Sequence, residues 1–436
     1  MRQTRFVILG LVLALAVATG ILIYQSRSSS NEADNGPVVV TQTKTRQPTD
    51  PASTPDTSGD PATSEPGTSG PASTDPATSD PATTDGSETS VVNPPDGRAP
   101  TNLPMKKLKK GQKPPQFIIF SFDGAGNSEK LNSFMDTAAT TDSRFTGFLT
   151  GLYMLTDDKA TDYTGPGRNP GESSVGFGGD ATEVQQRVTD WNRMWAAGNE
   201  MGTHYNGHFC GGSGDAWTQA DWTSELDQAF KFVDDYKALD DLPDAQTMKF
   251  TSADVKGGRT PCLEGVSDEN FPNMAAVWKA HNMTYDTSKP APYNGIFWPK
   301  MLDGIWEFYM PYVYSPSFKG MVTAMDYNFW VKFNGGAEEP DTAPQLRKIV
   351  QETYEYMYDQ AYNGNRAPIL IANHLNNWNG NSFNPAALAF MKETCGKKDT
   401  YCTTYQDVIA WMELQDPAVL KDLQDAYPVA EQAPTG

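Results

Sequence analysis

The chain has 436 residues, 38% of them hydrophobic, and sets 34 Lys and Arg against 54 Asp and Glu for a net charge of −20. That acidity leaves no cationic surface for counterion release and excludes nucleic acid as a partner. The mean hydropathy of −0.55 calls for much solvated chain beside any core. Four cysteines are too few for a disulfide framework and show no C-x-x-C zinc spacing, and with only four histidines the place of each is informative.

At the N-terminus Arg2 and Arg5 precede an uncharged, mostly apolar run from Phe6 to Tyr24. Nineteen residues at 1.5 Å each come to roughly the 30 Å of a bilayer core. The positive flank ahead of the run favours a cytoplasmic N-terminus. Residues 1–27 therefore read as a stub and single transmembrane anchor in the cell membrane, with the C-terminal domain extracellular. A cleavable signal peptide, leaving a secreted protein, is the alternative, because Ala16-Val17-Ala18 has the small-x-small form of a cleavage site. Against it, Ile21-Leu22-Ile23-Tyr24 carry the apolar run past that point.

Residues 28–113 read as a disordered linker. From Asp50 to Ser90 it consists largely of Asp, Pro, Ala, Thr, Ser and Gly, and Asp-Pro-Ala recurs at Asp50, Asp60, Asp75 and Asp80. Few apolar side chains are present to offset the entropy of ordering the backbone. The prolines favour an extended spacer, with a root-mean-square span of roughly 50 Å. A basic patch, Lys106-Lys107-Leu108-Lys109-Lys110, closes it; it reads as a solvated linker end or as a contact with an anionic wall polymer.

Residues 114–436 form the folded domain and hold the whole net charge, because acidic and basic residues balance before Pro114. Strand-like runs alternate with helical patterns, predicting an α/β fold with a parallel sheet wrapped by helices. Expected strands cover 117–120, 147–155, 200–204, 368–371 and 401–403. Expected helices cover 181–197, 219–239, 270–281, 342–362 and 405–412. The clearest is 342–362, with Pro344 in its first turn and Gly364 just past its end. The glycine-rich, aperiodic stretch 156–180 is expected to be a long loop over a site.

Three histidines sit at or just after expected strand ends. His204 and His208 form a His-x-x-x-His pair that one turn would bring to one face, able to hold a divalent metal. His374 follows Ile369-Leu370-Ile371-Ala372-Asn373, and Asp123 follows Phe120-Ser121-Phe122. In α/β barrels the carboxyl ends of strands carry the reacting groups. His281 lies outside every motif and is expected at the surface.

Taken together, Ser121-Phe122-Asp123-Gly124, His204-Tyr205-Asn206-Gly207-His208, Arg259-Thr260-Pro261, Tyr285-Asp286-Thr287-Ser288 and Arg366 through His374 stand in a fixed order. In that order they resemble the five motifs of the polysaccharide deacetylase family (carbohydrate esterase family 4, the NodB homology domain), particularly its chitin-deacetylase-like branch, over roughly residues 116–412. The resemblance implies a distorted (β/α) barrel and metal-dependent hydrolysis of N-acetyl groups from peptidoglycan or a chitin-like glycan. It implies a divalent metal, zinc first with cobalt or nickel as alternatives, on His204 and His208. It makes Asp123 the general base, Arg259 its orienting partner, and the backbone N–H of Cys262 an oxyanion donor. His374 would be the general acid, with Asp286 favouring its imidazolium form. Tyr205, Leu370 and Trp378 are the expected substrate contacts, Leu370 lining the acetyl-methyl pocket; Trp298, Trp306 and Trp330 are further aromatics that could stack on sugar rings. No protein partner is indicated.

One position departs from the pattern. The family's second Asp, a metal ligand, is replaced by Gly124. Water or another carboxylate such as Asp215 could complete the coordination, Asp123 could itself ligate, or the domain could be an inactive relative that binds glycan. Cys395 and Cys402 bracket a short turn and are expected to pair. In a barrel that brings their motifs together, Cys210 could pair with Cys262.

Overall fold

The computed structural model describes residues 97–426. The expected anchor and most of the expected linker lie outside these residues. Among the described residues no helix is long and apolar enough to cross a membrane.

Eleven strands are present among the described residues. They are β1 (Gln116–Gly124), β2 (Thr146–Leu149), β3 (Glu200–Thr203), β4 (Gly257–Gly258), β5 (Tyr285–Asp286), β6 (Lys300–Leu302), β7 (Ile305–Glu307), β8 (Tyr312–Ser315), β9 (Gly320–Thr323), β10 (Ile369–His374) and β11 (Thr400–Cys402). Nine form one curled sheet in the order β10-β1-β2-β3-β4-β5-β7-β6, with β11 also on β1. Every pairing is parallel except β6–β7. All nine residues of β1 are buried, as expected where helices cover a parallel sheet on its outer face and packed side chains fill the inner one. The ladder stays open between β10 and β6. The hairpin β8–β9 and single bridges at Pro290–Met310 and Met325–Ala372 stand in that gap. The expected distorted (β/α) barrel is thus realised as a curled, mixed α/β sheet with a seam.

The longer helices are α1 (Ser128–Thr140), α2 (Ala181–Ala196), α3 (Gln219–Leu239), α4 (Phe271–Ala280), α5 (Asp326–Asn334), α6 (Ala343–Asn363), α7 (Phe383–Thr394), α8 (Tyr405–Leu414) and α9 (Pro417–Asp425). Local sequence explains several ends. Asp180 with Glu183, and Thr218 with Asp221, make reciprocal capping boxes that start α2 and α3.

Three expectations on the fold need correction. The strand expected over 147–155 stops at Leu149, and Gly151–Met154 turns as a 3₁₀ helix. Helices α1, α5, α7 and α9 and strands β4 to β9 were not anticipated. The folded unit also begins before Pro114. Leu103 and Leu108 are buried, Arg98 donates to the carbonyls of Gly198 and Asn199, and the Leu108 amide donates to Gln415. The linker's basic end is therefore docked through its apolar residues, with the lysines left outside.

Candidate active site

Register decides which residues meet. In the β1–β10 ladder Asp123 stands directly opposite His374. Thr203 of β3 stands opposite Gly258 of β4, which sets His204 beside Arg259. All four side chains follow or end strands on the same edge of a parallel sheet.

Arg259 is fully buried at the centre. Its Nη1 donates to Asp123 Oδ1 at 2.7 Å, its Nε to the Thr287 carbonyl, and its Nη2 to Ser121 and Tyr405. Phe148 packs its ring 4.9 Å from the guanidinium carbon. Burial alone would raise the Asp123 carboxyl, but Arg259, then His204 and His374, outweigh it and hold it below the usual value. Asp123 is therefore a fixed, ionised carboxylate. Its free Oδ2 lies 3.9 Å from His374 Nε2.

His204 shares a hydrogen bond between Nδ1 and the Arg259 carbonyl at 2.9 Å. A carbonyl can only accept, so Nδ1 carries the proton and Nε2 keeps its lone pair. That Nε2 is buried without a partner. An imidazole held in this way matches a metal ligand oriented by an outer hydrogen bond. The His208 ring lies 5.1 Å from that of His204. Burial lowers both imidazoles, His208 to about 3, so both are neutral and able to ligate. The two histidines thus suit a divalent ion. Among the described residues no carboxylate joins them in a group whose ligand atoms lie within 4.8 Å.

Gly124 has φ +82, and a Cβ built there would lie 3.5 Å from the Tyr153 ring and hydroxyl. Asp215 Oδ1 accepts from the Gly265 amide, and among the described residues Asp215 joins no group with the two histidines whose ligand atoms lie within 4.8 Å. Both expected disulfides are present. Cys210–Cys262 ties the His208 loop to the turn after Arg259, and Cys395–Cys402 closes the short turn. Cys262 adopts φ +58 in the short 3₁₀ turn that follows Arg259. The loop over 156–180 reaches the histidine loop, where the Ser174 amide donates to the Gly207 carbonyl.

Three site expectations are overturned. Asp286 does not touch His374; its carboxyl accepts from the amide and hydroxyl of Ser288, and burial raises it to about 6. The partner of His374 is Asp326, whose Oδ1 lies 2.8 Å from Nδ1 and whose Oδ2 accepts from the His374 amide. Burial by itself would lower His374, but Asp326 and Asp123 outweigh it and raise its pKa. Tyr205 is buried in an apolar cluster, its hydroxyl accepting from Trp278, and leaves no exposed ring for a sugar to meet. Leu370, on the same strand as His374, is core; four residues along a strand put it roughly 13 Å deeper.

The aromatics divide by burial. Trp298 stacks on Trp411 in the core, and buried Trp306 donates to Glu413. Trp378 instead lies 4.8 Å from the His374 ring and is half-buried, as expected for a residue beside a site. His281 is half-buried, pairing with Asp227. Sequence reasoning missed Asp326. A lone Asp opening an unanticipated helix gave no motif to find it by.

No protein-family model and no curated protein matches the chain. Among solved structures it is similar to a Mycobacterium smegmatis protein provisionally assigned as a polysaccharide deacetylase. The identity is 12%, with 70% of this chain and 92% of that one covered and a TM-score of 0.41. It is also similar to the peptidoglycan deacetylase PdaC from Bacillus subtilis, at 12% identity, 69% and 92% coverage and a TM-score of 0.35. A third is a CE4 family pseudoenzyme from Bacillus anthracis, at 11% identity, 68% and 66% coverage and a TM-score of 0.33. At such scores the functional reading rests on the site's own residues.

Proposed function

We propose that the chain is a metal-dependent polysaccharide N-deacetylase of the carbohydrate esterase family 4 type. Its substrate on this reading is an N-acetylated glycan, peptidoglycan first and chitin-like oligomers second. The observation that carries the reading is the ionised Asp123, locked by Arg259, facing His374 and lying beside a histidine whose buried Nε2 has no partner.

His204 and His208 would hold the divalent metal, zinc first, with cobalt or nickel as alternatives. When bound, that ion supplies Lewis acidity to the acetyl carbonyl and acidity to a coordinated water. Asp123 takes a proton from the attacking water at Oδ2, the oxygen Arg259 leaves free. The Cys262 N–H donates to the oxygen that gains charge at the acetyl carbon. His374, whose imidazolium form Asp326 favours, delivers a proton from Nε2 to the departing amine. Asp286 takes no part.

The compartment belongs to the same proposal. Two disulfides fit an oxidising location, and the Phe6–Tyr24 run would anchor the domain outside the cell membrane. Gly124 favours one second reading, a glycan-binding homologue without catalysis. Acetate release from N-acetylglucosamine oligomers and peptidoglycan, with and without chelator and in Asp123→Asn, separates the two. Release that is abolished by chelation and by the variant supports the enzyme; glycan binding without release supports the second reading.

A further inference from the structure

Beside His374 the structure gathers three half-buried aromatic rings from two segments. Trp330 stacks on Trp378 with centroids 5.4 Å apart and planes 20° apart, and Tyr327 meets both edge-on. Tyr327 and Trp330 belong to α5, the helix that Asp326 opens. The helix that supplies the partner of His374 therefore also supplies two of the rings.

The segment carrying Trp378 is held in an unusual backbone. Asn379, Gly380 and Asn381 all have positive φ. Such conformations persist where surroundings over-determine them, and they cluster at ligand clamps. Here the surroundings are visible. The buried Asn379 side chain accepts from the Glu339 amide and donates to Thr342, while its amide donates to Glu338. Trp330 Nε1 is fixed on the Ala337 carbonyl. The rings are thus pre-positioned, which lowers the entropy lost on binding.

We infer that Tyr327, Trp330 and Trp378 form a stacking subsite for the sugar unit next to the one whose acetamide reacts. The inference rests on the deacetylase reading above. A pyranose offers an apolar C–H face to an indole and hydroxyl or acetamido groups at its rim. Exposed Asn376 and Asn377, just before Trp378, supply amides for that rim. Exposed Glu338, Glu339 and Asp341 follow the Ala337 carbonyl that holds Trp330, and the Glu338 carboxylate accepts from the Asn379 amide, so the unit that fits is uncharged, not a uronic or phosphorylated sugar.

The test is calorimetric titration of the purified full chain, treated with chelator, with N-acetylglucosamine di- to hexasaccharides and with a uronic-acid oligomer. Expected are affinity that rises with chain length, no uronate binding, and about a tenfold loss for the longer oligomers in Trp330→Ala. Trp330→Phe, which keeps a ring, should recover part of that loss, and unchanged far-UV circular dichroism certifies folding. Equal affinity of wild type and Trp330→Ala for the hexasaccharide overturns the subsite. So does uronate binding as tight as that of the neutral oligomer. The deacetylase reading is judged separately by acetate release, so loss of stacking without catalysis in the wild type overturns that reading and leaves the subsite standing.

Discussion

Replacing Asp326 with Asn tests the assignment of His374 most sharply. The carboxylate lies 2.8 Å from His374 Nδ1, with side-chain exposures of 1% and 18%. An opposite charge at this range moves a pKa by about 1–3 pH units, or about 1.4–4 kcal/mol of preference for the imidazolium. On the proposed mechanism His374 acts in its protonated form, and Asp326 raises its pKa, so activity is expected below that pKa and is lost as pH rises through it. In Asp326→Asn the alkaline limb of kcat/KM should move down by about 1–3 pH units. Activity should recover at pH values below the shifted limb. The assay is acetate release from an N-acetylglucosamine oligomer across pH, paired with NMR titration of His374. Asp286→Asn is the control, because Asp286 is engaged by Ser288 and should leave the limb in place. An alkaline limb that stays put in Asp326→Asn, or that moves in Asp286→Asn, refutes the assignment.

Arg259→Ala leaves Asp123 buried without its partner and should cost about 3–5 kcal/mol of stability in denaturant titration, with loss of acetate release. His204→Ala with His208→Ala should remove bound zinc, read by elemental analysis on the folded protein; stoichiometric zinc in the double variant would move the metal elsewhere. Gly124→Asp forces a side chain into φ +82 and should lower stability by about 1–2 kcal/mol. The two disulfides close loops of very different length, with separations of 52 and 7. Loop entropy predicts that losing Cys210–Cys262 costs about 4 kcal/mol and losing Cys395–Cys402 about 2.5 kcal/mol, measurable by paired Cys→Ser variants.

Much of the site could be read along the chain, because parallel strands announce themselves as apolar runs and the residues that end them share one edge of the sheet. Asp123, His204 and His374 were legible in this way, and helix α3 was legible to the residue because its capping pair and periodicity are local. Strands β4 and β5 have two residues each, too short for any period, so the positions of Arg259 and Asp286 could be ordered in sequence but not placed. Residue type gave no means of separating the aromatics. Trp298 and Trp378 are the same side chain, and only packing puts the first against Trp411 and the second against His374. The partner of His374 shows the division most clearly. Asp326 is 48 residues distant and arrives through a single bridge between Met325 and Ala372. Local pattern determined which residues stand at strand ends; long-range pairing, which no local pattern encodes, decided which carboxylate reaches which imidazole.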